Sequence, residues 1–300
     1  MILNYFKDTP QEKFEDYNDF ALYIKREDKT FAGFGVKLRK IYGLVQFLKK
    51  GNVQDVLLYG NPHSNFLSTF STVLKLEGFT IHSLFYTNDQ NLITANSILS
   101  KRFSDTIIHT GSKGNREFYI SAFQKGFPNG FVIPEFGIHK SGLVGLTFLW
   151  RELEKSEFLE YLFLDIGTGF TTLSALEYFK EKKVQIIGVA IGNRRDKIQT
   201  DLETNADKLG LDKKILANLK ILEPLTSPAF ASKNKTLEDW IRKTWKEKQI
   251  PLEPVYSAKT LLTVQEYIKS QKLKGAGVYM HQGGLLNHLK YFSNLSIIAR

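Results

Sequence analysis

The stretch "YLFLDIGTGFTT" (161–172) joins a short apolar run to a glycine turn and then to a helical pattern. An apolar run bounded by a turn signal predicts a buried strand, and strand–turn–helix units are typical of parallel α/β proteins. The backbone N–H groups of the turn, backed by the helix dipole, favour an anion such as phosphate. A tight structural turn would explain the same residues, so both interpretations stay open at this point.

Three threonines, Thr168, Thr171 and Thr172, add hydroxyl donors to this turn. No Gly-Lys-Ser/Thr follows the turn, and the third glycine of a GxGxxG motif is missing, so neither a Walker loop nor a dinucleotide-binding fingerprint is present. The turn is therefore a candidate phosphate site of another kind.

The same alternation of strand and helix patterns extends to both sides of this stretch. Predicted strands lie at 55–60, 80–86, 105–110, 130–134, 161–166, 184–192 and 277–281. Predicted helices follow Lys37, Ser257 and the QGG at 282–284, lie near 65–77, 90–103, 115–126, 142–154 and 172–182, and fill most of 199–247. Because the strands form two groups, we expect an α/β protein with two lobes and a site in the cleft between them.

The composition is that of an ordinary globular protein, with 300 residues of which 42% are hydrophobic and 24% charged. No apolar run reaches the ~18 residues of a membrane span, and the first residues lack the apolar core of a signal peptide. We therefore expect a cytoplasmic protein with no membrane partner. Cysteine is absent and the six histidines show no metal-ligand spacing, so we expect neither disulfides nor a metal site.

The chain is strongly basic, since 41 Lys and Arg against 31 Asp and Glu leave a net charge of +10. Such a balance favours anionic partners, nucleic acid among them. However, the lysines are spread among acidic residues, and no zinc-finger or RNP motif appears. A solvated basic surface is the preferred interpretation, and we expect no nucleic-acid partner.

A lysine stands at the start of a helix in "FAGFGVKLRK" (31–40), where its positive charge opposes the helix dipole. Partial burial there would favour the neutral amine, which can attack a carbonyl and form a Schiff base. Lys37 is therefore a candidate nucleophile, although a surface lysine would fit the same pattern.

Other candidates lie at element boundaries. Ser64 and Asn65 follow the strand 55–60, where open α/β sheets bind ligands, but Ser64 is also a natural helix N-cap. His63 could act as a general base or be simply exposed. Tyr256 could present its phenol to a ligand or pack in the core, and Ser257 could be no more than an N-cap.

Taken in order, six stretches resemble the family of pyridoxal 5'-phosphate (PLP) enzymes that contains D-cysteine desulfhydrase and 1-aminocyclopropane-1-carboxylate (ACC) deaminase. They are "IKREDKTFAGFGVKLRK" (24–40), "GNPHSNF" (60–66), "VIPEFGIHKSGLVG" (132–145), "DIGTGFTT" (165–172), "PVYSAK" (254–259) and "MHQGG" (280–284). The resemblance implies two open twisted α/β domains of the PLP fold type II, the tryptophan-synthase-β type. It implies a larger PLP-binding domain, 1–43 plus 151–300, and a smaller mobile domain, 44–150.

The resemblance also implies a role for each matching residue. Lys37 would hold PLP as a Schiff base, Ser64 would be the acid/base or substrate-carboxylate residue, and Asn65 would bond the cofactor's phenolic oxygen. Tyr256 would be an active-site tyrosine, with Ser257 close to the pyridine nitrogen. The phosphate loop would be Gly167, Thr168, Gly169, Phe170 and Thr171.

Several positions depart from the family pattern: Val36, His63, Phe66, Phe170 and Gln282. The resemblance implies a PLP-dependent lyase or deaminase that converts a small amino acid to a 2-oxo acid and ammonia, and it implies a homodimer. The changed positions keep a second hypothesis open, a PLP-binding homologue with a non-enzymatic role. A polyanion binder is the third.

Overall fold

The computed structural model describes residues 7–87, 89, 91–111, 114–156, 159–229 and 234–292. Within these residues the chain divides into two compact units. Unit 1 contains Lys7 and residues 36–146, and unit 2 contains residues 8–35 and the described part of 147–292. The divisions fall at 35/36 and 146/147, whereas the predicted domains end at 43 and 150. The predicted domain assignment and the mobility of the smaller domain stay predictions.

Unit 1 is built on a four-stranded parallel sheet in the order β5-β4-β3-β6. Its strands are β3 (Asp55–Gly60), β4 (Thr80–Phe85), β5 (Thr106–His109) and β6 (Phe131–Val132). Its helices are α1 (Val36–Lys50), α2 (Asn65–Leu76), α3 (Ala95–Arg102) and α4 (Arg116–Gly126). The helix predicted after Lys37 is present as α1, and it buries an apolar face formed by Leu38, Ile41, Leu44, Val45 and Leu48.

Unit 2 is built on a six-stranded sheet in the order β1-β2-β10-β7-β8-β9. Its strands are β1 (Gln11–Tyr17), β2 (Phe20–Arg26), β7 (Tyr161–Ile166), β8 (Gln185–Ala190), β9 (Leu219–Leu222) and β10 (Gly275–His281). Its helices are α6 (Phe170–Phe179), α7 (Arg195–Leu209), α8 (Lys235–Lys248) and α9 (Ser257–Gln271), and α5 (Ser141–Glu154) runs across the division at 146/147.

All neighbours in the larger sheet pair in parallel except β1, which is antiparallel to β2. The central strand β7 is buried at five of its six positions, as a parallel strand covered on both faces must be. Helices α8 and α9 supply apolar side chains to the core over this sheet.

Most predicted elements are present, and the differences have local causes. Strand β1 and the short strand β9 were not predicted, because charged residues interrupt their apolar pattern. Strand β2 was not predicted either, although its first five residues, FALYI, form an apolar run. Helix α6 begins at Phe170, two residues earlier than predicted, and α3 begins at Ala95 rather than near 90, a position outside the described residues. The helix predicted after QGG is present as a 3₁₀ helix (Leu286–Tyr291). Within the mostly helical stretch predicted at 199–247, residues 230–233 lie outside the described residues.

Among the described residues, no helix combines the length and apolarity needed to cross a lipid bilayer.

Candidate active site

Three of the candidate stretches lie at the carboxyl ends of parallel strands. Residues 61–65 follow β3 in unit 1, while residues 167–171 follow β7 and residues 282–284 follow β10 in unit 2. This edge of an open α/β sheet is where ligands bind, because the loops there diverge and helix N-termini face it. The sequence prediction that these stretches sit at strand ends is confirmed.

The glycine turn of unit 2 leads directly into helix α6. Gly169 has φ +78°, and a β-carbon there would overlap the Leu202 side chain, so glycine is required. Phe170, which replaces a family glycine, is the first residue of α6 and its side chain is buried. The departure at Phe170 therefore leaves the backbone N–H groups of the helix start in place.

The first turn of α6 also holds a hydroxyl that could serve a bound anion. Thr172 is fully buried, and its Oγ1 has no hydrogen-bond partner among the described residues. A buried hydroxyl without a partner costs folding free energy, so such groups are rare unless a ligand or water meets them. Together with the turn's N–H groups and Gly169, this orphaned hydroxyl fits a phosphate group.

A buried asparagine of α7 holds the glycine turn through a hydrogen bond to its backbone. The Nδ2 of Asn205 donates to the carbonyl oxygen of Thr168 at 2.9 Å. Sequence reasoning missed Asn205, although a signal existed. It lies on the face of α7 that buries Ile198, Leu202 and Leu209, where a polar side chain needs a partner.

Tyr256 lies beside the glycine turn, so the structure brings these two predicted site features together within unit 2. A β-carbon on Gly167 would lie 3.1 Å from Cε1 of Tyr256, which means that the ring rests against this glycine. Burial raises the pKa of Tyr256 well above its ordinary value, and the nearby carboxylates of Glu253 and Asp165 add to the rise. The phenol is therefore neutral and able to donate a hydrogen bond near neutral pH.

The start of α9 is held by Glu253, a buried carboxylate that sequence reasoning also missed. Its oxygens accept from the backbone N–H groups of Val255, Tyr256 and Ser257, each at 2.7 Å. In return, Ser257 Oγ accepts from the backbone N–H of Glu253 at 2.7 Å. Ser257 is the first helical residue rather than the N-cap, so the simple N-cap interpretation of Ser257 is wrong.

The glycine segment before Lys37, Gly33 to Gly35, packs closely against the loop that follows β10. Gly35 has φ +69°, and a β-carbon there would overlap the carbonyl oxygen of Gln282. Gly284 N–H donates to the Gly33 carbonyl at 2.9 Å. Gln282 Nε2 donates to the Asp165 carbonyl at 2.8 Å, so the departure to glutamine gives this loop a contact with the end of β7.

In unit 1, Lys37 is the second residue of α1, at the helix start where the sequence predicted it, and its side chain is half-buried. Helix α1 packs against α2, whose first residue is Asn65. Ser64 is the N-cap of α2, and its Oγ accepts from Leu67 N–H at 3.2 Å. The cap uses one lone pair of the hydroxyl and leaves its proton able to reach a substrate.

The turn that carries Ser64 and Asn65 is tied to α3 by polar side chains. His63 is half-buried, with Nδ1 3.1 Å from Thr94 Oγ1, so of the two interpretations left open the simply exposed histidine is wrong. Asn96, which is 1% exposed, donates from Nδ2 to the His63 carbonyl at 3.1 Å and to Asn65 Oδ1 at 2.7 Å. Asn96 gave no sequence signal, because the buried face of α3 is polar throughout.

Comparison with known proteins agrees with these features. No family model matches the chain. A D-cysteine desulfhydrase of Serratia proteamaculans is 22% identical over 304 residues, covering 92% of this chain and 91% of its own length. The chain resembles the family that the motifs predicted.

Solved structures show the same architecture. The crystal structure of an ACC deaminase homologue matches with a TM-score of 0.77 at 21% identity, covering 96% of this chain and 93% of its own. An O-ureido-L-serine synthase matches with a TM-score of 0.73 at 15% identity, covering 98% and 95%. The predicted fold class, α/β with the PLP fold type II, is confirmed.

Proposed function

We propose that this chain is a PLP-dependent lyase or deaminase that converts a small amino acid, D-cysteine or ACC in type, to a 2-oxo acid and ammonia. The observation that carries the proposal is the glycine turn that leads from β7 into α6, where Gly169 has φ +78° and the Thr172 hydroxyl in the first turn of the helix is buried without a hydrogen-bond partner among the described residues. The likeness to D-cysteine desulfhydrase over most of both chains supports it.

Cofactor binding uses residues that the structure places at strand and helix ends. The N–H groups of 167–171, with the hydroxyls of Thr171 and Thr172, would hold the phosphate. Lys37 would hold the cofactor through its Nζ, and Asn65 would offer a hydrogen-bond donor to its phenolic oxygen. When bound, PLP withdraws electrons from the Cα of an attached amino acid.

Side chains of this protein would carry out the proton transfers. The amine of Lys37 would accept the Cα proton of the substrate at Nζ. Ser64 would bind the substrate carboxylate or move a proton through its O–H. The overall reaction would release a β-leaving group or open a strained ring and, with uptake of water, give the 2-oxo acid and ammonia.

The residue at position 257 affects which reaction, β-elimination or ring opening, is favoured. It is a neutral residue whose Oγ accepts from Glu253 N–H, and it replaces the glutamate that the cyclopropane deaminases carry after the tyrosine. A neutral residue beside the pyridine nitrogen would leave that nitrogen less protonated than a glutamate would, and electron withdrawal would be weaker. This would favour β-elimination over ring opening.

The test is product release from the PLP-loaded protein. We expect pyruvate, hydrogen sulfide and ammonia from D-cysteine, and less 2-oxobutyrate from ACC. The absence of any 2-oxo acid from small amino acids, with the cofactor bound, would contradict the proposal and favour a non-enzymatic homologue. The homodimer and the cytoplasmic location stay predictions.

Replacing Ser64 by alanine tests whether the Ser64 hydroxyl takes part in turnover or only caps helix α2. We expect Ser64→Ala to lower turnover by about a hundredfold or more, since it removes a proton-transfer or carboxylate-binding group. The lost N-cap costs only about 1 kcal/mol of stability. The control is Ser71→Ala, whose hydroxyl bonds only its own helix, at the Leu67 and Ser68 carbonyls. Equal losses of turnover in both variants would assign Ser64 a structural role.

A further inference from the structure

We propose that Asn96 is a positioning residue that fixes the orientation of the Asn65 side-chain amide, so that Asn65 presents its N–H donor, rather than its carbonyl, to a bound oxygen anion. This inference deepens the proposed function and rests on it. It depends only on the contacts of described residues within unit 1.

The orientation of the Asn96 amide follows from one contact. The carbonyl oxygen of His63 can only accept a hydrogen bond, so the Asn96 atom 3.1 Å from it must be the nitrogen, Nδ2. The other amide atom of Asn96 is then the oxygen. It lies 2.9 Å from Ser68 Oγ, whose hydroxyl donates to it. Both ends of this buried amide are therefore assigned by their partners.

The orientation of Asn65 follows in turn. The same Asn96 Nδ2 lies 2.7 Å from the Asn65 side chain and can only donate, so the Asn65 atom that meets it is Oδ1. With its carbonyl turned toward Asn96, Asn65 directs its Nδ2 donors to the other side. A donor in that position suits a phenolate oxygen, whereas a carbonyl there would repel it.

The network is rigid because it is buried and has several anchors. Asn96 and Ser68 are 1% and 0% exposed. Helix α3 is tied to the same turn a second time by Ser100, whose Oγ donates to the Pro62 carbonyl at 3.1 Å. Reversing the Asn65 amide would leave the Asn96 donor facing a donor, an unfavourable arrangement in a buried site.

Three variants of the full-length, PLP-loaded protein test this assignment. Asn96→Asp keeps the size and shape of the side chain, but its carboxylate has no N–H donor. Asn65 should then turn its Nδ2 toward residue 96 and its carbonyl toward the bound oxygen anion. Asn96→Ala removes the constraint without adding a charge, and it serves as the second variant if Asn96→Asp folds poorly. Ser100→Ala is the matched control, because it removes a buried contact of α3 with the same turn but does not touch Asn65.

The readouts are the PLP dissociation constant, from absorbance titration, and the pH midpoint of the violet absorbance band. We expect Asn96→Asp to raise the dissociation constant about tenfold or more and to shift the midpoint, as loss of a hydrogen bond to a charged group would. Asn96→Ala should have a smaller effect, and Ser100→Ala should match the wild type in both readouts while lowering the urea midpoint of unfolding.

Equal changes in the Asn96 and Ser100 variants would overturn the proposal, because Asn96 would then only hold α3 in place. A wild-type constant and midpoint in Asn96→Asp would overturn it as well. A wild-type protein with no violet band in the presence of PLP would contradict the proposed function itself, and the assignment of Asn65 with it.

Discussion

At the scale of single residues, the candidate site is held together by buried hydrogen-bonding groups. The Thr172 hydroxyl has no hydrogen-bond partner among the described residues, Asn205 donates to the Thr168 carbonyl, and the Glu253 carboxylate accepts from three backbone N–H groups. An unmet hydrogen bond of a buried group costs about 1–3 kcal/mol.

Thr172 gives a residue-scale prediction. Thr172→Val replaces the hydroxyl with a methyl group of similar size, so the free energy of unfolding without PLP should stay within about 1 kcal/mol of wild type or rise. The PLP dissociation constant should increase about three- to tenfold. The measurements are urea unfolding of the cofactor-free protein and absorbance titration with PLP.

Thr72→Val is the matched control, because Thr72 in α2 also has a buried hydroxyl without a partner among the described residues. It should leave PLP affinity unchanged. If Thr172→Val binds PLP as tightly as the wild type, the phosphate site does not include this hydroxyl.

Residue identities were predictable only where they formed a motif. Lys37, Ser64, Asn65, Tyr256 and the glycine turn stand in recognisable stretches. Asn96, Asn205 and Glu253 do not, because their importance comes from partners distant in the chain or from burial that composition does not show. Only Asn205, on an otherwise apolar helix face, carried a usable signal.

At the scale of elements, the glycine segment before α1 depends on close backbone packing. Gly33 and Gly35 have nearly the same positive φ, +67° and +69°. A β-carbon on Gly33 would lie 3.6 Å from the Asp28 carbonyl, in ordinary contact, whereas one on Gly35 would overlap the Gln282 carbonyl. The pair therefore separates backbone strain from steric overlap.

We expect Gly33→Ala to lower the free energy of unfolding by about 1–2 kcal/mol, the cost of a left-handed alanine. Gly35→Ala should cost more, about 4 kcal/mol or above, because the overlap must be relieved by moving the 282–284 loop. Urea unfolding of both variants measures the difference. Equal losses would show that the loop moves freely and does not fix this segment.

Elements with strong periodicity were predicted well, and edge elements were not. Strands β3, β4 and β7 are apolar because they are buried, so their patterns were clear. Strand β1, "QEKFEDY", is an edge strand whose charges suit exposure, and it resembles a loop in sequence. Pairing with β2 makes it a strand, and sequence pattern does not reveal that pairing.

At the scale of the whole molecule, a buried ion pair ties stability to pH. Arg26 binds Asp28 through two hydrogen bonds of 2.8 and 2.7 Å, and both side chains are at most 4% exposed. Burial alone would raise the pKa of Asp28, but the neighbouring His281 and the Arg26 guanidinium outweigh it and hold that pKa below its ordinary value of 3.8.

A lowered pKa means that the Asp28 carboxylate stabilises the fold above pH 3.8 and loses this contribution as the pH falls through the folded value. Asp28→Asn should lower the free energy of unfolding at about pH 6 by about 2–3 kcal/mol, since it removes one of the two carboxylates that pair with the buried Arg26 guanidinium and leaves it Glu12, at 2.6 Å. The gap between the variant and the wild type should narrow as the pH falls below 3.8.

Urea unfolding from about pH 6 to about pH 3 measures this gap. Asp16→Asn is the control, because Asp16 pairs with Lys13 on the surface with its side chain 61% exposed, and its effect should be below about 1 kcal/mol throughout. A gap for Asp28→Asn that stays constant with pH would contradict the account of this pair.

The central claim, that Lys37 carries the cofactor, is tested most directly by borohydride reduction of the PLP-treated protein followed by peptide mass mapping. We expect one stable pyridoxyl adduct on Lys37. It should be lost together with the violet absorbance in Lys37→Ala and retained in Lys50→Ala, which changes an exposed lysine at the far end of the same helix. An adduct on another lysine, or none, would contradict it.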